Sequence, residues 1–415
     1  MINPSSSKST GIIFSRISLF FLLAILVWSA WGGHATIYFL VSLMLSAVCF
    51  TKIWERLSLK RVECMRLLSE TRAFPGETIN LRLQVANRKL LPLPWIQIDD
   101  EIPLNMAGNL PLLPGSRDGF GLLRCSTALL WYSKASWNCG LNCRQRGYFP
   151  LGPIMATSGD IFGFYMRSAV TLQQDTIIVY PKIYPIDRFY IPSQHPLGDT
   201  KAEQQIFQDP TRIIGLRDYT SHDSLRHVHW KASARRQELQ VKVFESTTTL
   251  KASLFLSAGG FQNEKDGPDR FEFAVSTVAS IAANLIEQKS MVGLHVNSPQ
   301  VDSGQLISIL PGGSHARLME ILEALAKIGP DEEESFEAFL IKEQRKLPWG
   351  TTLIIVLAEP LNTLPELLVS LKEAGNKLIV LLMDYKQKSK PAGDVVCYHV
   401  IHPDNSEQIS FEIIQ

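Results

Sequence analysis

The chain has 415 residues, enough for two or three folding units whose cores need no metal or disulfide staple. Its 41 Lys and Arg residues nearly balance its 40 Asp and Glu residues, which excludes a globally basic nucleic-acid binder and an acidic disordered chain. Hydrophobic residues make up 46% of the chain, an ordinary share for a globular protein, but they are unevenly spread and gather in the first sixty positions.

Two apolar runs lie in those first sixty residues. The first, 17–31, has two serines as its only polar residues, and the second follows after three residues at 35–51. With their apolar flanks they extend to 12–31 and 35–54, which is long enough for two membrane-spanning helices. A signal peptide is the alternative, because the first apolar core is short and Lys8 precedes it. A second apolar run follows it instead of a small-residue cleavage site and a mature domain, which favours a transmembrane helical hairpin within residues 1–60.

Basic residues predict the orientation of this hairpin. Lys and Arg flank both ends and are missing from the short connection; they are Lys8 and Arg16 before the first span, and Lys52, Arg56, Lys60, Arg61 and Arg66 after the second. The positive-inside rule therefore predicts a multi-pass protein of the cell membrane, with both termini and the bulk of the chain in the cytoplasm.

The six cysteines agree with a reducing compartment, because they are scattered along the chain. Cys139 and Cys143 are four residues apart, but no second pair of Cys or His at metal-binding spacing accompanies them. We therefore expect two partly buried thiols there and no zinc site.

Residues 62–187 predict an antiparallel β-sandwich of the immunoglobulin-like kind. Apolar and polar residues alternate over 79–85, prolines punctuate the segment, and further short strands are predicted, among them 129–137 and 138–146. The polar, proline-containing residues 188–211 predict a linker.

Residues 212–415 predict an α/β domain, because strand and helix patterns alternate after position 251. The predicted strands are 252–257, 290–296, 306–310, 351–358 and 377–383, and the predicted helices are 270–288, 314–328 and 364–374. This alternation is typical of a doubly wound parallel sheet with helices on both faces.

Charged and aromatic side chains are densest at the start of this domain, over residues 212–245. Asp223 or Ser224 is predicted to cap a short helix that turns Leu225, Val228 and Ala232 inward. Arg226, with Lys231 or Arg235, is then placed to clamp an anion or a partner's carboxylates, with Trp230 as an aromatic anchor. The alternative is a buried ion-pair network of Arg217, Asp223 and Arg226 that joins the two domains.

Several catalytic interpretations of the chain find little support. His222-Asp223 resembles the dyad of metal-dependent phosphohydrolases, but those proteins are all-helical and need further ligands on other helices. His227 and His229 are two residues apart and would face opposite sides of a helix, which argues against zinc. The sequence contains no G-x-x-x-x-G-K-[ST] loop and no G-x-S-x-G elbow, so nucleotide hydrolysis and serine hydrolase chemistry are not expected.

Two motifs resemble signatures of one family. The main motif reads Arg217-x-Tyr219-x-x-x-Asp223-x-x-Arg226-x-x-x-Trp230-Lys231-Ala232-Ser233-Ala234-Arg235, followed by Glu238-Leu239-x-Val241-Lys242-x-Phe244-Glu245. Upstream lie Arg146-Gly147-Tyr148-Phe149-Pro150-Leu151-Gly152-Pro153 and Gly159-Asp160-Ile161-Phe162-Gly163. Together they resemble the domain of unknown function 58 family. Three positions depart from it: His222 replaces the usual Gly, His229 an acidic or amide residue, and Gln237-Glu238 a common Gly.

The resemblance implies an architecture and a partner. It implies two membrane helices, a β-sandwich and a domain similar to the von Willebrand factor A fold, working with a MoxR-type AAA+ ATPase. Metal-binding von Willebrand A domains use Asp-x-Ser-x-Ser after the first strand, whereas this chain has Ser257-Ala258-Gly259-Gly260. Without that carboxylate we expect no metal ion, since Ser314 and Glu359 alone are too few ligands.

The sequence thus predicts a membrane-anchored, non-catalytic adaptor without cofactor or metal. Its partners would be the MoxR-type ATPase, other membrane proteins and the lipid bilayer, with no nucleic acid. The residues expected to bind a partner or to form the domain junction are Arg217, Tyr219, Asp223, Arg226, Trp230, Lys231 and Arg235. Two alternatives remain: an enzyme that uses His222, Asp223 and His229 at the junction of the two domains, and a membrane scaffold without an ATPase.

Overall fold

A computed structural model of the chain divides into two compact units. It describes residues 3–9, 16–163, 165–171, 173–186, 208–220, 228–246, 250–261, 266–348, 350–358, 364–373, 376–383, 395–401 and 408–413. The first unit comprises Met1–Lys182 with Leu322–Ile328, and the second comprises Ile183–Ile321 with Gly329–Gln415. Most of the predicted linker, 188–207, lies outside the described residues, whereas 208–211 begin a strand.

The first unit starts with a strand and two helices and continues as β-structure. Its elements are β1 (Asn3–Ser9), α1 (Arg16–Trp31), α2 (Ala35–Ser58), β2 (Val62–Leu68), β3 (Arg72–Ala73), β4 (Thr78–Asn87), β5 (Leu93–Pro103), β6 (Leu112–Pro114), β7 (Phe120–Leu129), β8 (Lys134–Asn142), β9 (Gly147–Leu151), β10 (Ile154–Gly159), β11 (Tyr165–Thr171) and β12 (Asp175–Val179).

The two helices follow the predicted apolar runs. Among the described residues, α2 is the helix that is long and apolar enough to cross a bilayer, whereas the apolar part of α1, Phe20–Trp31, is shorter. One apolar helix near the N-terminus suggests a membrane anchor. The second span and the orientation stay predictions.

The β-structure surrounds one apolar core. The sheets run in the orders β1-β11-β10-β5-β7-β6, β2-β4-β8 and β3-β12-β9. The predicted alternation over 79–85 is confirmed, because Ile79, Leu81, Leu83 and Val85 of β4 are all buried in this core. The predicted strands 129–137 and 138–146 are wrong. A single strand, β8, occupies Lys134–Asn142, and the residues before it form a turn in which Tyr132 has a φ of 51°.

Strand β5 brings three consecutive acidic residues into contact with three arginines. The pairs are Asp99–Arg124, Asp100–Arg66 and Glu101–Arg117. The Arg66 and Asp100 side chains are fully buried, with Arg66 Nε 3.1 Å from Asp100 Oδ2. Arg66 Nη1 also donates to Asp175 Oδ2 at 3.0 Å. Because a buried charge is tolerated only when it is paired and hydrogen-bonded, this cluster constrains how the strands pack.

The upstream motif Arg146–Pro153 contributes to this cluster through Gly152. Gly152 has a φ of 88°, and its carbonyl accepts a hydrogen bond from Arg117. A Cβ at this position would lie 2.9 Å from Arg66 Nη2. The glycine is therefore required both by its backbone conformation and by the approach of a buried guanidinium.

We expect Gly152→Ala to destabilise the first unit by about 2 kcal/mol, from left-handed backbone strain and displacement of Arg66. The measurement is the labelling rate of the buried Cys143 thiol in the detergent-solubilised chain. Gly119→Ala is the matched control, because Gly119 has a φ of 78° but no atom within 4 Å of the added Cβ. Equal effects of the two substitutions would show that the Arg66 contact is irrelevant.

The second unit holds the alternating elements, apart from the end of one helix. The elements are β13 (Gln208–Asp218), α3 (Trp230–Arg236), β14 (Gln240–Ser246), β15 (Lys251–Leu256), α4 (Gly267–Glu287), β16 (Met291–Pro299), β17 (Leu306–Gly312), α5 (His315–Ala326), α6 (Phe336–Gln344), β18 (Thr352–Leu357), α7 (Leu364–Glu373), β19 (Lys377–Leu382), β20 (Val396–Ile401) and β21 (Ser410–Ile413). The last residues of helix α5, from Leu322 on, are grouped with the first unit.

Seven of these strands form one sheet in the order β17-β16-β15-β18-β19-β20-β21. The predicted α/β alternation is confirmed in its five inner strands, which are parallel. The expectation of a wholly parallel sheet is wrong at both edges, where β17 and β21 pair antiparallel. Only 300–305 separate β16 from β17, which is too short for a crossover helix and long enough for a hairpin.

The inner strands are buried on both faces, as expected for a doubly wound sheet. Every residue of β18 is buried, and Phe255 of β15 packs in one cluster with Phe336, Phe339 and Leu368 of helices α6 and α7. Helix α6 was not predicted, since its nine residues show too short an apolar pattern.

Candidate functional site

The main sequence motif forms a small module outside the seven-stranded sheet. β13 and β14 pair antiparallel, with Arg217 opposite Val241 and Asp218 opposite Gln240. Val228 forms a bridge to Val241, and α3 follows it directly. We call residues 216–220 and 228–242 the signature module.

Helix α3 starts later than the sequence predicts. His229 is its N-cap: the ring Nδ1 accepts a hydrogen bond from the Ala232 amide at 3.1 Å. The His229 backbone amide donates to the Gln240 carbonyl at 2.8 Å, so the chain is tied to β14 just before the helix begins. The prediction that Val228 lies inside this helix is wrong, while the predicted caps Asp223 and Ser224 lie outside the described residues.

A polar network holds α3 on β14. The buried Ser233 hydroxyl donates to the His229 carbonyl at 3.1 Å and accepts from the Gln240 amide at 2.9 Å. Gln240 is fully buried, and its side-chain amide donates to Asp218 Oδ1 at 2.5 Å. The inward face of this helix is therefore polar and hydrogen-bonded, which fixes its backbone.

The outward face of α3 is aromatic and basic. Trp230 is 66% exposed, and Lys231, Arg235 and Arg236 are exposed beside it. The helix has no acidic residue in its first turn, and two arginines occupy its last turn, where the helix dipole favours positive charge.

The remaining predicted site residues divide into two groups. Arg217 is exposed, and its Nη1 donates to the Asp218 carbonyl at 3.1 Å. Tyr219 is half-buried, and its amide donates to the Leu239 carbonyl at 2.9 Å. Asp223 and Arg226 lie outside the described residues, so the ion-pair network that needs them stays a prediction.

Of the histidines proposed as ligands or acid-base groups, His229 is the one that lies in the described part of the chain. His229 uses Nδ1 to cap α3, and His222 and His227 lie outside that part. Within it, no group of three or more His, Cys, Asp or Glu side chains is arranged to hold a metal ion. The enzyme alternative therefore stays a prediction.

Doubly wound sheets commonly bind ligands at the carboxyl ends of the strands where the strand order reverses. In this sheet the order reverses between β15 and β18. Here the Ala258 amide donates to Asn297 Oδ1 at 2.8 Å. Asn297 is fully buried and donates through Nδ2 to Glu332 Oε1 at 2.9 Å and to the Glu334 carbonyl at 3.0 Å. Asn297 was not identified from the sequence. The feature that could have identified it is an amide side chain near the end of a buried strand. The hydrogen bonds of Asn297 connect the residue after β15 with the loop that contains Glu332 and Glu334. Glu359, considered from the sequence as a metal ligand, lies outside the described residues.

A second buried polar group, His295, was also missed. Its ring stacks on Phe255 with centroids 4.6 Å apart, and its Nδ1 lies 3.4 Å from Ser308 Oγ and 3.7 Å from Glu343 Oε2. Ser308 Oγ is 2.5 Å from Glu343 Oε2 and donates to it, so the hydroxyl is oriented towards the carboxylate rather than the imidazole. This arrangement is unlike a hydrolase triad, in which the imidazole accepts the serine proton.

Burial sets the charge of this His295 cluster. It lowers the pKa of His295 to about 4, although Glu343 opposes the shift. Burial also opposes ionisation of Glu343, but hydrogen bonds from Lys346 and Ser308 outweigh it, and the pKa of Glu343 is lowered. His295 is thus a neutral buried group at neutral pH.

Comparison with known families decides the identity of the second unit. Residues 215–415 match the family described as "Protein of unknown function DUF58". The chain carries a DUF58 domain. The resemblance seen in the sequence is thereby confirmed, and the signature module with its exposed Trp230 lies at the start of this DUF58 domain.

The chain is also similar to the "Uncharacterized protein YeaD" of Bacillus subtilis, with 23% identity over 273 residues. The match covers 65% of this chain and 65% of the length of that relative. Neither the DUF58 family description nor this relative's name assigns a function.

Similar solved structures include a von Willebrand A domain. The SpRpn10 VWA domain has 11% identity and a TM-score of 0.23, and the match covers 33% of this chain and 77% of that one. The CARDB domain of the PF1109 protein from Pyrococcus furiosus has 13% identity and a TM-score of 0.18. That match covers 28% of this chain and 89% of the CARDB chain. The fold of the second unit is defined by the topology of its own seven-stranded sheet.

Proposed function

We propose that this DUF58 protein is a membrane-anchored, non-catalytic adaptor that binds a MoxR-type AAA+ ATPase and acts in the assembly or maintenance of envelope protein complexes. The ATPase supplies the energy of nucleotide hydrolysis, and the adaptor supplies location and recognition. The observation that carries this proposal is the outward face of α3, where Trp230, Lys231 and Arg235 are exposed together on a fixed backbone.

The composition of this face suits a protein partner. Trp and Arg are the residues most enriched among those that dominate protein–protein binding energies. The hydrogen bonds of Ser233 and Gln240 already hold α3 in place, so binding orders little of the backbone. The positive charge of the face favours a partner surface rich in carboxylates.

The membrane part of the proposal is supported by α2 and by the pairing of β1 with β11. β1 precedes α1, and β11 follows α2, yet Asn3 to Ser9 pair antiparallel with residues of β11. The chain before the two helices therefore meets the chain after them. This arrangement agrees with two spans that return to the same side, which we propose is the cytoplasm.

Trp230→Ala is expected to weaken capture of the ATPase by about 30-fold, the effect of a loss of about 2 kcal/mol at a binding hot spot. The double reversal Lys231→Glu/Arg235→Glu should weaken it at least as much and reduce its salt dependence. The measurement is a pull-down with the full-length chain from detergent-solubilised membranes, with and without nucleotide, followed by mass spectrometry.

Two exposed positions on other helices serve as controls. Val369→Ala in α7 removes an apolar side chain that is 49% exposed, and Arg345→Glu at the end of α6 reverses an exposed charge. Both should leave capture unchanged. Capture that is insensitive to the α3 variants, or a bound set without an AAA+ ATPase, would contradict the proposal.

A further inference from the structure

Helix α2 joins the β-structure of the first unit at one end. This helix ends at Ser58, and β2 starts at Val62, opposite Asn87 at the end of β4. The register of the other strands places three turns at this same end. They are 88–92 between β4 and β5, 130–133 between β7 and β8, and 160–163 between β10 and β11.

Three strand pairings show that these turns lie at the same end as the helix. Ala86 at the end of β4 pairs with Lys134 at the start of β8, and Leu93 at the start of β5 pairs with Leu129 at the end of β7. Ser158, near the end of β10, pairs with Ile96 near the start of β5. We call the three turns together the helix-side turns.

The helix-side turns are apolar at their tips. The exposed side chains are Leu90 (74%), Leu130 (63%), Trp131 (59%), Tyr132 (64%), Ile161 (49%) and Phe162 (61%). At the opposite end, the exposed large apolar side chains in the described residues are Phe74 (36%), Leu104 (52%) and Leu113 (43%), of which Phe74 alone is aromatic. Soluble domains rarely gather exposed aromatic residues at one end without a surface to receive them.

Direct contacts tie these turns to α2. Lys89 Nζ donates to the Leu57 carbonyl at 2.7 Å and to the Lys60 carbonyl at 2.9 Å, so the 88–92 turn caps the end of the helix. On the other side, Arg167 Nη1 donates to the Arg56 carbonyl at 3.2 Å. The 88–92 turn and strand β11 therefore contact the end of the helix where it would leave a bilayer.

The 160–163 turn is built rigidly. Asp160 is fully buried, and its carboxylate accepts from the Phe162 amide at 3.1 Å and the Tyr165 amide at 2.7 Å. The strands on either side of this turn, β10 and β11, both contact α2, so the base of the turn lies beside that helix. Ile161 and Phe162 are thus presented on a closed turn.

Basic side chains surround these apolar tips. Exposed or half-buried at the same end are Lys60, Arg61, Arg88, Lys134 and Arg167. Apolar or aromatic tips with Lys and Arg behind them are typical of segments that enter a membrane interface, because the basic groups meet anionic lipid while the tips reach the acyl boundary.

We propose that the helix-side turns insert Trp131, Tyr132, Ile161 and Phe162 into the interface of the bilayer that α2 spans. This inference rests on the proposed membrane anchorage. Trp and Tyr prefer the membrane–water interface, where their rings contact acyl chains and their polar groups reach the headgroups. The sandwich is thereby held against the membrane by two helices and by its own turns.

A lipid surface fits better than a protein partner at this end. The tips belong to three separate turns around a helix and do not form one continuous face. The continuity with α2 places them at the level where the chain leaves the hydrocarbon. A second copy of the chain or another protein would have to cover the same end while avoiding that helix.

Site-directed spin labelling of the full-length chain tests the proposal. Cys49 and Cys139 are replaced by Ser, because the other four thiols are buried. A label at Phe162→Cys is compared with a matched label at Leu104→Cys, an exposed residue beyond the far end of β5, in vesicles of phosphatidylethanolamine and phosphatidylglycerol. Leu40→Cys, at an exposed apolar position in the first half of α2, reports on the anchor itself.

Insertion predicts that the label at 162 collides preferentially with oxygen over a water-soluble nickel chelate, in a ratio close to that at 40 and far above that at 104. A water-like ratio at 162 with a lipid-like ratio at 40 would overturn the inference and leave the anchor intact. Water-like ratios at both positions would overturn the anchor as well. Low collision rates with both reagents at 162 would mean that protein covers the turn, which also contradicts insertion.

Discussion

Arg66→Met is expected to destabilise the first unit by about 3–5 kcal/mol. The substitution leaves the Asp100 carboxylate fully buried without the guanidinium that it now contacts, and it also removes one of the two side chains that donate to Asp175, the other being Gln173. If Cys143 is labelled only after the first unit unfolds, a loss of about 4 kcal/mol accelerates labelling by roughly a thousand-fold. Cys397, buried in the second unit, is the internal reference and should be labelled at an unchanged rate.

Two variants make this test specific. The double variant Arg66→Met/Asp100→Leu should regain most of the lost stability, because replacing a whole buried ion pair by apolar side chains is often neutral. Arg88→Met removes an exposed partner of Glu63 and should cost less than about 1 kcal/mol. A small effect of Arg66→Met, similar to that of Arg88→Met, would contradict the role of the buried pair.

Acidification from pH 7.5 to pH 5 is expected to destabilise the second unit by about 2 kcal/mol through His295 alone. The pKa of His295 is lowered from 6.5 to about 4 in the native state. Between these values the unfolded chain binds the proton and the native chain does not. Stability is therefore complete above about pH 6.5 and falls as the pH approaches 4. The pKa of Glu343 is lowered in the native state from its ordinary 4.5, so its own contribution to stability is lost only as the pH falls below about 4.5.

His295→Leu isolates the contribution of His295 to the pH dependence of stability, because it removes the imidazole and keeps an apolar group beside Phe255. Hydrogen exchange of the β18 and β19 amides, measured at both pH values, gives the stability of the buried sheet in each protein. The wild-type chain should lose about 2 kcal/mol more than the variant on acidification. Equal losses in both proteins would show that His295 is already solvated or protonated in the native state.

Much of the DUF58 domain could be predicted from its sequence, because continuous apolar runs bounded by helical patterns specify buried parallel strands. Thr352–Leu357 and Lys377–Leu382 lie almost where the runs placed them. The edge strand β17 was predicted in place, but its antiparallel direction was missed, since pairing direction depends on the length of the short hairpin before it. The other edge strand, β21, was not predicted. The apolar alternation of β4 was equally informative, while the turn at Tyr132 was missed because its residues are themselves aromatic.

The candidate site was only partly predictable. Sequence reasoning identified the exposed Trp230, Lys231 and Arg235, since an aromatic residue among basic ones is visible in the sequence. It assigned the wrong helix start, because an imidazole cap such as His229 is rarer than an Asp or Ser cap. It also missed His295, a single polar residue within an apolar run, whose partners become neighbours only through the fold.

The most direct test of the adaptor account is photo-crosslinking from the position of Trp230 in native membranes. A photoreactive phenylalanine analogue replaces Trp230 in the full-length chain, and the same analogue at Val369 is the control. The account predicts that an AAA+ ATPase of the MoxR type is crosslinked from position 230 and not from 369. Equal crosslinking from both positions, or products at 230 that contain no AAA+ ATPase, would contradict it.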